Sequence, residues 1–244
     1  MYKTIYTFDH GNTNPHVGVF EANKLCRLLT LKEFLQIDPS QMQNSIMIKS
    51  SVGKKIDEEL FNLPMIDIKH YWEKNKFLGM PVQYSKSLGD DRLCEAFNVF
   101  HQYQNLNSLL IDVGTFITAD YISESGFLGG FIFPGATTFL KSYASGANLP
   151  ILNADQLIFE KSDQLPTSTP EAILKATTTY LSGILSELLL DKKLDQIILT
   201  GGGAENILKI LKNKTSLPII LNPTFIHESL FTIYQTIMER GLPL

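Results

Sequence analysis

Cysteine is scarce in this chain, with two in 244 residues. Cys26 and Cys94 have no Cys-x-x-Cys neighbour, which excludes a thiolate metal cluster and leaves two reduced thiols in a reducing compartment. Positive charge is not in excess either. Lys and Arg number 21 against 25 Asp and Glu, for a net charge of −4, and no basic stripe is interleaved with aromatics, so nucleic acid is not an expected partner. No run of about 18 apolar residues occurs, and Lys3 arrives before any apolar signal region develops. The expectation is a soluble, cytoplasmic protein that acts on a small molecule, with no membrane partner. The five histidines include no pair at a metal-ligand spacing. His10 is expected to face solvent from a loop, and His16, His70, His101 and His227 receive no role. The single tryptophan, Trp72, reads as surface packing rather than a stacking platform.

Apolar residues make up 44% of the chain, enough for a sizeable core without covalent staples. Strand signals fall at 4–8, 17–20, 46–51, 108–112, 116–121, 129–133, 196–200 and 217–221. Helical periodicity is clearest over 91–104, where Leu93, Ala96, Phe97 and Phe100 share a face, and further helices are expected at 31–36, 54–60, 137–145, 170–191, 203–213 and 225–240.

Within that pattern one element occurs twice. A hydrophobic strand ends in Asp9-x-Gly11-Asn12-Thr13, and a later one ends in Asp112-x-Gly114-Thr115. A carboxylate at a strand exit, followed by a glycine that lets backbone N–H groups approach a ligand, suits a metal-bound phosphate. A single copy would most often be only a turn. The repetition predicts an α/β protein built from two related halves, 1–107 and 108–244, with a cleft between them rather than two tethered domains.

Other segments keep two readings open. After Asp112 the chain alternates, so that Thr118 and Asp120 share one side of a strand, where Asp120 either serves a ligand or caps a turn. Gly126, Gly129, Gly130 and Gly135 form either tight turns and bulges or a ligand-facing surface. Thr200-Gly201-Gly202 lies at a strand-to-helix turn that serves either packing or a nucleoside. Asp90 and Asp91 open a helix, and either residue can cap it.

The ordered set resembles the type III pantothenate kinases, of the acetate and sugar kinase, Hsp70 and actin superfamily. The resemblance is carried by Asp9-x-Gly11-Asn12-Thr13, by Pro81-x-x-Tyr84 with Gly89-x-Asp91-Arg92, by Asp112-x-Gly114-Thr115-x-x-Thr118-x-Asp120, by Gly126-x-x-Gly129-Gly130-x-Ile132-x-Pro134-Gly135 and by Thr200-Gly201-Gly202, across nearly the whole chain. It implies two ribonuclease H-like halves of the actin-like ATPase fold. It also implies ATP-dependent phosphorylation of pantothenate on its primary hydroxyl, the first step toward coenzyme A, by a homodimer that uses a divalent metal and a monovalent cation, K⁺ or NH₄⁺.

Carried over residue by residue, the resemblance makes Asp91 the general base, expected to be held ionised by the N–H groups of its helix start. Asp9 and Asp112 would orient Mg²⁺ and phosphates, directly or through water, with Gly11, Asn12, Thr13, Gly114 and Thr115 as donors. Gly201 and Gly202 would meet the adenosine. Tyr84, Gly89, Arg92 and Thr169 would meet the acyl substrate, and Asp120 the monovalent cation. Gly146 stands where the family has a threonine, and Pro166 and Ala176 stand where it has glycines, in a region that shapes the acyl-substrate pocket. Those departures support two alternatives, a regulatory or binding protein without turnover and a kinase for another small alcohol.

Overall fold

A computed structural model describes residues 2–11, 13–52, 61, 63–146, 148–159, 164–190 and 193–244. The helix expected at 54–60 lies outside the described residues.

The first sheet is assembled from β1 (Thr4–His10), β2 (His16–Glu21), β3 (Lys24–Thr30), β4 (Ser45–Ser51) and β5 (Met65–Asp67), in the order β3-β2-β1-β4-β5. β1 pairs antiparallel with β2 and parallel with β4, which pairs parallel with β5. β1 and β4 are buried along almost their whole length, as expected of strands covered on both faces. The edge strand β3 carries charges and is mostly exposed, which keeps a free edge from recruiting another chain. A short helix, α1 (Leu31–Phe34), follows it with a reciprocal Thr30/Glu33 cap and buries Phe34 among Tyr6, Phe8 and Met47. A small three-stranded sheet, β6 (Trp72–Glu73), β7 (Lys76–Phe77) and β8 (Met80–Pro81), leads into helix α2 (Asp90–Gln102).

The second sheet repeats the arrangement. β9 (Ser108–Val113), β10 (Phe116–Ser123), β11 (Gly126–Pro134), β12 (Gln196–Thr200) and β13 (Ile219–Leu221) lie in the order β11-β10-β9-β12-β13, again third, second, first, fourth, fifth. β9 pairs parallel with β12, and β12 with β13. The repeated Asp-x-Gly element thus marks the same topological position, the end of the first strand, in both sheets. Between β11 and β12 run α3 (Ala136–Ser142) and α4 (Thr169–Leu189), and α5 (Ala204–Leu211) joins β12 to β13. α4 starts on Ser168, whose hydroxyl accepts the Glu171 N–H, with Pro170 in the first turn where no N–H is needed. Its Leu181 and Leu185 pack with Leu109, Ile111, Ile197, Leu199 and Ile207 in one apolar core. α6 (Phe225–Glu239) ends the chain. Among the described residues no helix is long and apolar enough to cross a membrane.

Two compact units result: Met1–Asn105 with Ile122–Gly129 and Thr224–Leu244, and Leu106–Tyr121 with Gly130–Pro223. The two-sheet α/β architecture is the one the repeated motif predicts. Four features were not anticipated: β3, β5, the small sheet, and the return of α6 to pack on α2 and β1 of the first unit. Trp72 is buried, not on the surface as expected, with Lys86 Nζ 3.9 Å over its ring.

Candidate functional site

In the first unit, β1 carries Asp9 half-buried at its end, in register with Ser50 of β4 on one side and His16 of β2 on the other. Gly11 and Thr13 follow; Asn12 lies outside the described residues. The strand runs two residues further than expected, and this corrects the reading of His10. It is 6% exposed, stacks on Phe8 at 5.6 Å and places Nδ1 3.2 Å from Ser51 Oγ. A residue expected to face solvent is a packed strand residue. Asp9 Oδ2 lies 3.7 Å from His16 Nε2, and His16 Nδ1 lies 3.0 Å from Nε2 of the buried His227 in α6.

Two adjacent carboxylates open α2 in different surroundings. Asp90 is buried and structural: one oxygen accepts the Ser51 N–H at 3.3 Å and the other lies 3.2 Å from Lys69 Nζ. Asp91 turns back over its own helix start, accepting the Arg92 N–H at 2.8 Å. The residue before the helix is Gly89, where a Cβ would stand 2.5 Å from Asp91 Oδ1. Burial pushes the Asp91 carboxyl above the usual aspartate range, and the helix-start N–H and the neighbouring Arg92 only partly offset it. The expectation that the helix start would hold Asp91 firmly ionised is therefore corrected, because desolvation outweighs the N–H groups.

Arg92 is buried, and its guanidinium lies 5.3 Å from the Tyr84 ring and 5.7 Å from the Phe127 ring. Tyr84 and Phe127 meet edge to face at 5.8 Å, and a Val82–Phe127 bridge with a 2.9 Å Gln83 N–H to Phe127 carbonyl bond holds these segments together. The Pro81-x-x-Tyr84 and Gly126 motifs, separate in the sequence, form one aromatic cradle for Arg92. Phe127 was not foreseen, since nothing in the sequence distinguishes it from a core aromatic.

The second unit has its own cluster. Asp112 ends β9 in register with Thr200 of β12. Gly201, at φ +86°, lets the chain turn back over it, and a Cβ there would stand 2.2 Å from Asp112 Oδ1 and 2.6 Å from the Val113 nitrogen. Gly203 donates to the Val113 carbonyl at 2.9 Å, which pins the Thr200-Gly201-Gly202 turn to the end of β9. On the other side, Gly114 donates to the Phe116 carbonyl at 2.9 Å, and the Thr115 carbonyl accepts from Gly135 at 3.0 Å and from Thr138 Oγ1 at 2.6 Å. Asp112, Gly114, Thr115, Gly201 and Gly202 are thus gathered around one strand end. Asp120 is fully buried inside β10, so it does not cap a turn, which removes the alternative left open by its sequence context. Thr169, the first residue of α4, is exposed.

With this geometry in place, the match to known proteins is decisive. The family model described as type III pantothenate kinase matches residues 5–189, well over half of the chain. The chain belongs to the type III pantothenate kinase family. A type III pantothenate kinase of Flavobacterium johnsoniae is 28% identical over 249 residues, covering 95% of this chain and 97% of the relative. One from Campylobacter hominis is 25% identical, covering 84% and 88%. Among solved structures, a Campylobacter jejuni protein described as a Baf family transcriptional activator aligns with a TM-score of 0.62 at 23% identity, covering 97% of this chain and 98% of that one. The activator of 2-hydroxyisocaproyl-CoA dehydratase from Clostridium difficile, solved with ADPNP, aligns at 0.54 and 10% identity, covering 98% and 97%. MreB5 of Spiroplasma citri bound to ADP aligns at 0.51 and 12%, covering 98% of each chain. The chain therefore has the actin-like ATPase fold, in agreement with its duplicated sheet order. Its Asp9, Asp112 and Thr200 motifs fall at strand ends and its Gly89-x-Asp91-Arg92 motif at a helix start, whereas Asp120 lies inside β10 and Gly126–Pro134 forms β11.

Proposed function

We propose that the protein transfers the γ-phosphoryl group of ATP to the primary hydroxyl of pantothenate. The observation that carries the proposal is the membership of this family together with Asp91, a carboxylate made more basic by burial and set beside a buried arginine. Phosphoryl transfer asks little covalent work of a protein. It needs the alcohol in line with the γ-phosphorus, charge neutralised on the phosphate oxygens, and a destination for the hydroxyl proton.

Asp91 takes the hydroxyl proton as the bond to phosphorus forms, and a base whose affinity for protons has been raised does so more readily near neutrality. Arg92, held between Tyr84 and Phe127, pairs with the substrate carboxylate, where a planar guanidinium gives a bidentate contact. Gly89 leaves the room Asp91 needs, and Thr169 contributes to the same substrate. Asp9 and Asp112, directly or through water, hold the nucleotide's divalent ion. Gly11, Asn12, Thr13, Gly114 and Thr115 donate to phosphate oxygens, and Gly201 and Gly202 let the adenosine approach backbone. Mg²⁺ keeps several waters and takes phosphate oxygens as ligands, so two carboxylates would suffice to hold it. When bound, the ion neutralises charge on the transferring group. Asp120 suits a monovalent cation. Gly130 packs closely on Asp120, since a Cβ there would stand 2.1 Å from Asp120 Oδ1 and 2.3 Å from the Ala119 carbonyl oxygen.

ADP release coupled to a detectable reaction tests the proposal, using purified protein, ATP, Mg²⁺ and K⁺ or NH₄⁺. Release that depends on pantothenate is expected. A folded sample that binds ATP but releases no more ADP with pantothenate than without it would favour a binding or regulatory protein. Release driven by a different small alcohol would reassign the substrate.

We propose further that the protein works as a cytoplasmic homodimer. Edge strand β11 exposes Phe131 and Ile132 by 50% and 56%, and Phe131 contacts Tyr121 and Phe133 in an aromatic row. An exposed apolar edge of this kind calls for a cover, and a second copy supplies one. Phe131→Glu with Ile132→Lys is expected to halve the mass measured by light scattering. A wild-type protein that already sediments as a monomer would defeat the idea.

A further inference from the structure

The segment between β8 and the first turn of α2 carries Tyr84, Gly89, Asp91 and Arg92. Its middle is an exposed turn over residues 83–87, where Ser85 Oγ lies 2.6 Å from Ser87 Oγ and the Leu88 N–H donates to the Ser85 carbonyl at 3.1 Å. Those bonds are local to the turn. Lys86 reaches out of it: its Nζ donates to the Trp72 carbonyl at 2.6 Å and stands 3.9 Å over the centre of the Trp72 ring. One ammonium is thus held by a backbone oxygen and by an aromatic face of the same residue.

The far end of this contact is firmly seated. Trp72 is buried and pairs in β6 with Phe77 of β7, whose buried ring meets Phe97 of α2 edge to face at 5.4 Å. The residues flanking that hairpin are tied to the end of the chain: Tyr71 Oη donates to the Pro243 carbonyl at 2.6 Å, and Arg240 Nη1 donates to the Leu78 carbonyl at 3.0 Å. Three residues before Trp72, Lys69 Nζ lies 3.2 Å from Asp90 Oδ1. Residues 69–72 therefore grip the segment twice, at Lys86 and at Asp90, on either side of Leu88-Gly89. Tyr84 lies two residues before Lys86, and its ring flanks the Arg92 guanidinium at 5.3 Å, so the placement of the turn reaches the arginine.

We infer that Lys86 is a positioning residue, which pins its turn to Trp72 and so keeps Tyr84 and Arg92 set for the substrate before it arrives. The inference rests on the reading of Tyr84 and Arg92 as substrate contacts. A binding site whose competent conformation is only partly populated loses apparent affinity by that fraction, and a tether that holds the conformation in the free protein removes the loss without touching the ligand. Once substrate is bound the segment is in place with or without the tether, so Lys86 bears on substrate affinity rather than on the chemical step.

Trp72 is the one tryptophan in the sequence, so its fluorescence reports on this contact without turnover. Lys86→Met keeps the stem and removes the charge. It is expected to make Trp72 more open to quenching by acrylamide and to raise KM for pantothenate about 3–30-fold, the range set by losing an exposed cation–π contact and its hydrogen bond, with kcat and KM for ATP little changed. Lys86→Arg, which can stack on the indole and donate to the same carbonyl, is expected to restore both readouts. Quenching that is the same in Lys86→Met and wild type overturns the inference, because the contact then does not hold the turn. So does altered quenching with an unchanged KM for pantothenate, and so does an equal rise in both KM values, which marks a general loss of structure. Wild type without pantothenate-dependent turnover overturns the substrate reading on which the inference rests; the quenching comparison, which needs no substrate, tells that failure from a missing Lys86 contact.

Discussion

Replacing Asp91 by Asn lowers kcat by about 10²–10⁴-fold, the usual contribution of a positioned base, while ATP binding stays intact. The side chain keeps its shape and can still accept the Arg92 N–H; what it loses is proton affinity. Two further measurements separate this from a general loss of structure. In the wild type, kcat/KM should fall as pH drops through the Asp91 pKa, at a higher pH than an ordinary aspartate would give, because burial raises that pKa. The variant should lack that limb. Stability should move the other way. A carboxylate whose folded pKa lies above its unfolded value costs stability once it ionises in the fold. The cost is absent below the ordinary aspartate pKa, grows as pH rises through the raised value, and is fully present above it. Asp91→Asn is therefore expected to match or exceed the wild-type denaturation midpoint at neutral pH. Undiminished turnover would reassign the base, and a lower midpoint would show that the carboxylate serves the fold.

Gly201→Ala should be damaging for a different reason. At φ +86° an alanine is strained, and its Cβ would fall 2.2 Å from Asp112 Oδ1 and 2.6 Å from the Val113 nitrogen. Backbone strain and forced displacement each cost about 1–3 kcal/mol, so a loss of roughly 2–6 kcal/mol is expected in chemical denaturation. What gives way is the end of β9, so nucleotide affinity should fall with stability. Gly202→Ala serves as the control, because a Cβ there meets nothing within 4 Å and stability should be little changed. If it weakens nucleotide binding alone, that position faces the ligand. Equal stability of both variants would contradict the packing of this turn on Asp112.

The fold was legible where the pattern was long and strongly periodic. β12 falls at the expected residues, and β1, β4, β9, α2, α4 and α6 lie within a few residues of expectation. β3 was missed because a mostly exposed edge strand has no buried stripe, and β5 to β8 are too short for any period to show. The duplication could be read from two strand ends, but the return of α6 to the first unit could not, since apolar periodicity does not say which sheet a helix covers.

The candidate site was legible as residue types and not as environments. Asp90 and Asp91 are indistinguishable in the sequence apart from the family register. Their difference lies in Ser51 and Lys69, which only the fold brings near, and in the room that the missing side chain of Gly89 leaves for Asp91. The helix start at Asp91 suggested a depressed pKa, and the burial that reverses this is a tertiary property. His16 and His227 were set aside because they lie 211 positions apart, and a hydrogen-bonded pair of that separation leaves no local signal. His10 was assigned to a loop because the Asp-x-Gly element was taken to begin where the strand ends, whereas β1 continues to His10.

The most direct test of the central claim is a crystal structure with a non-hydrolysable ATP analogue, Mg²⁺ and pantothenate. The Asp91 carboxylate should lie within about 2.6–3.2 Å of the primary hydroxyl, with Arg92 on the substrate carboxylate and Asp90 still bound to Ser51. A hydroxyl that meets Asp90, or that meets no carboxylate while the nucleotide is in place, would contradict it.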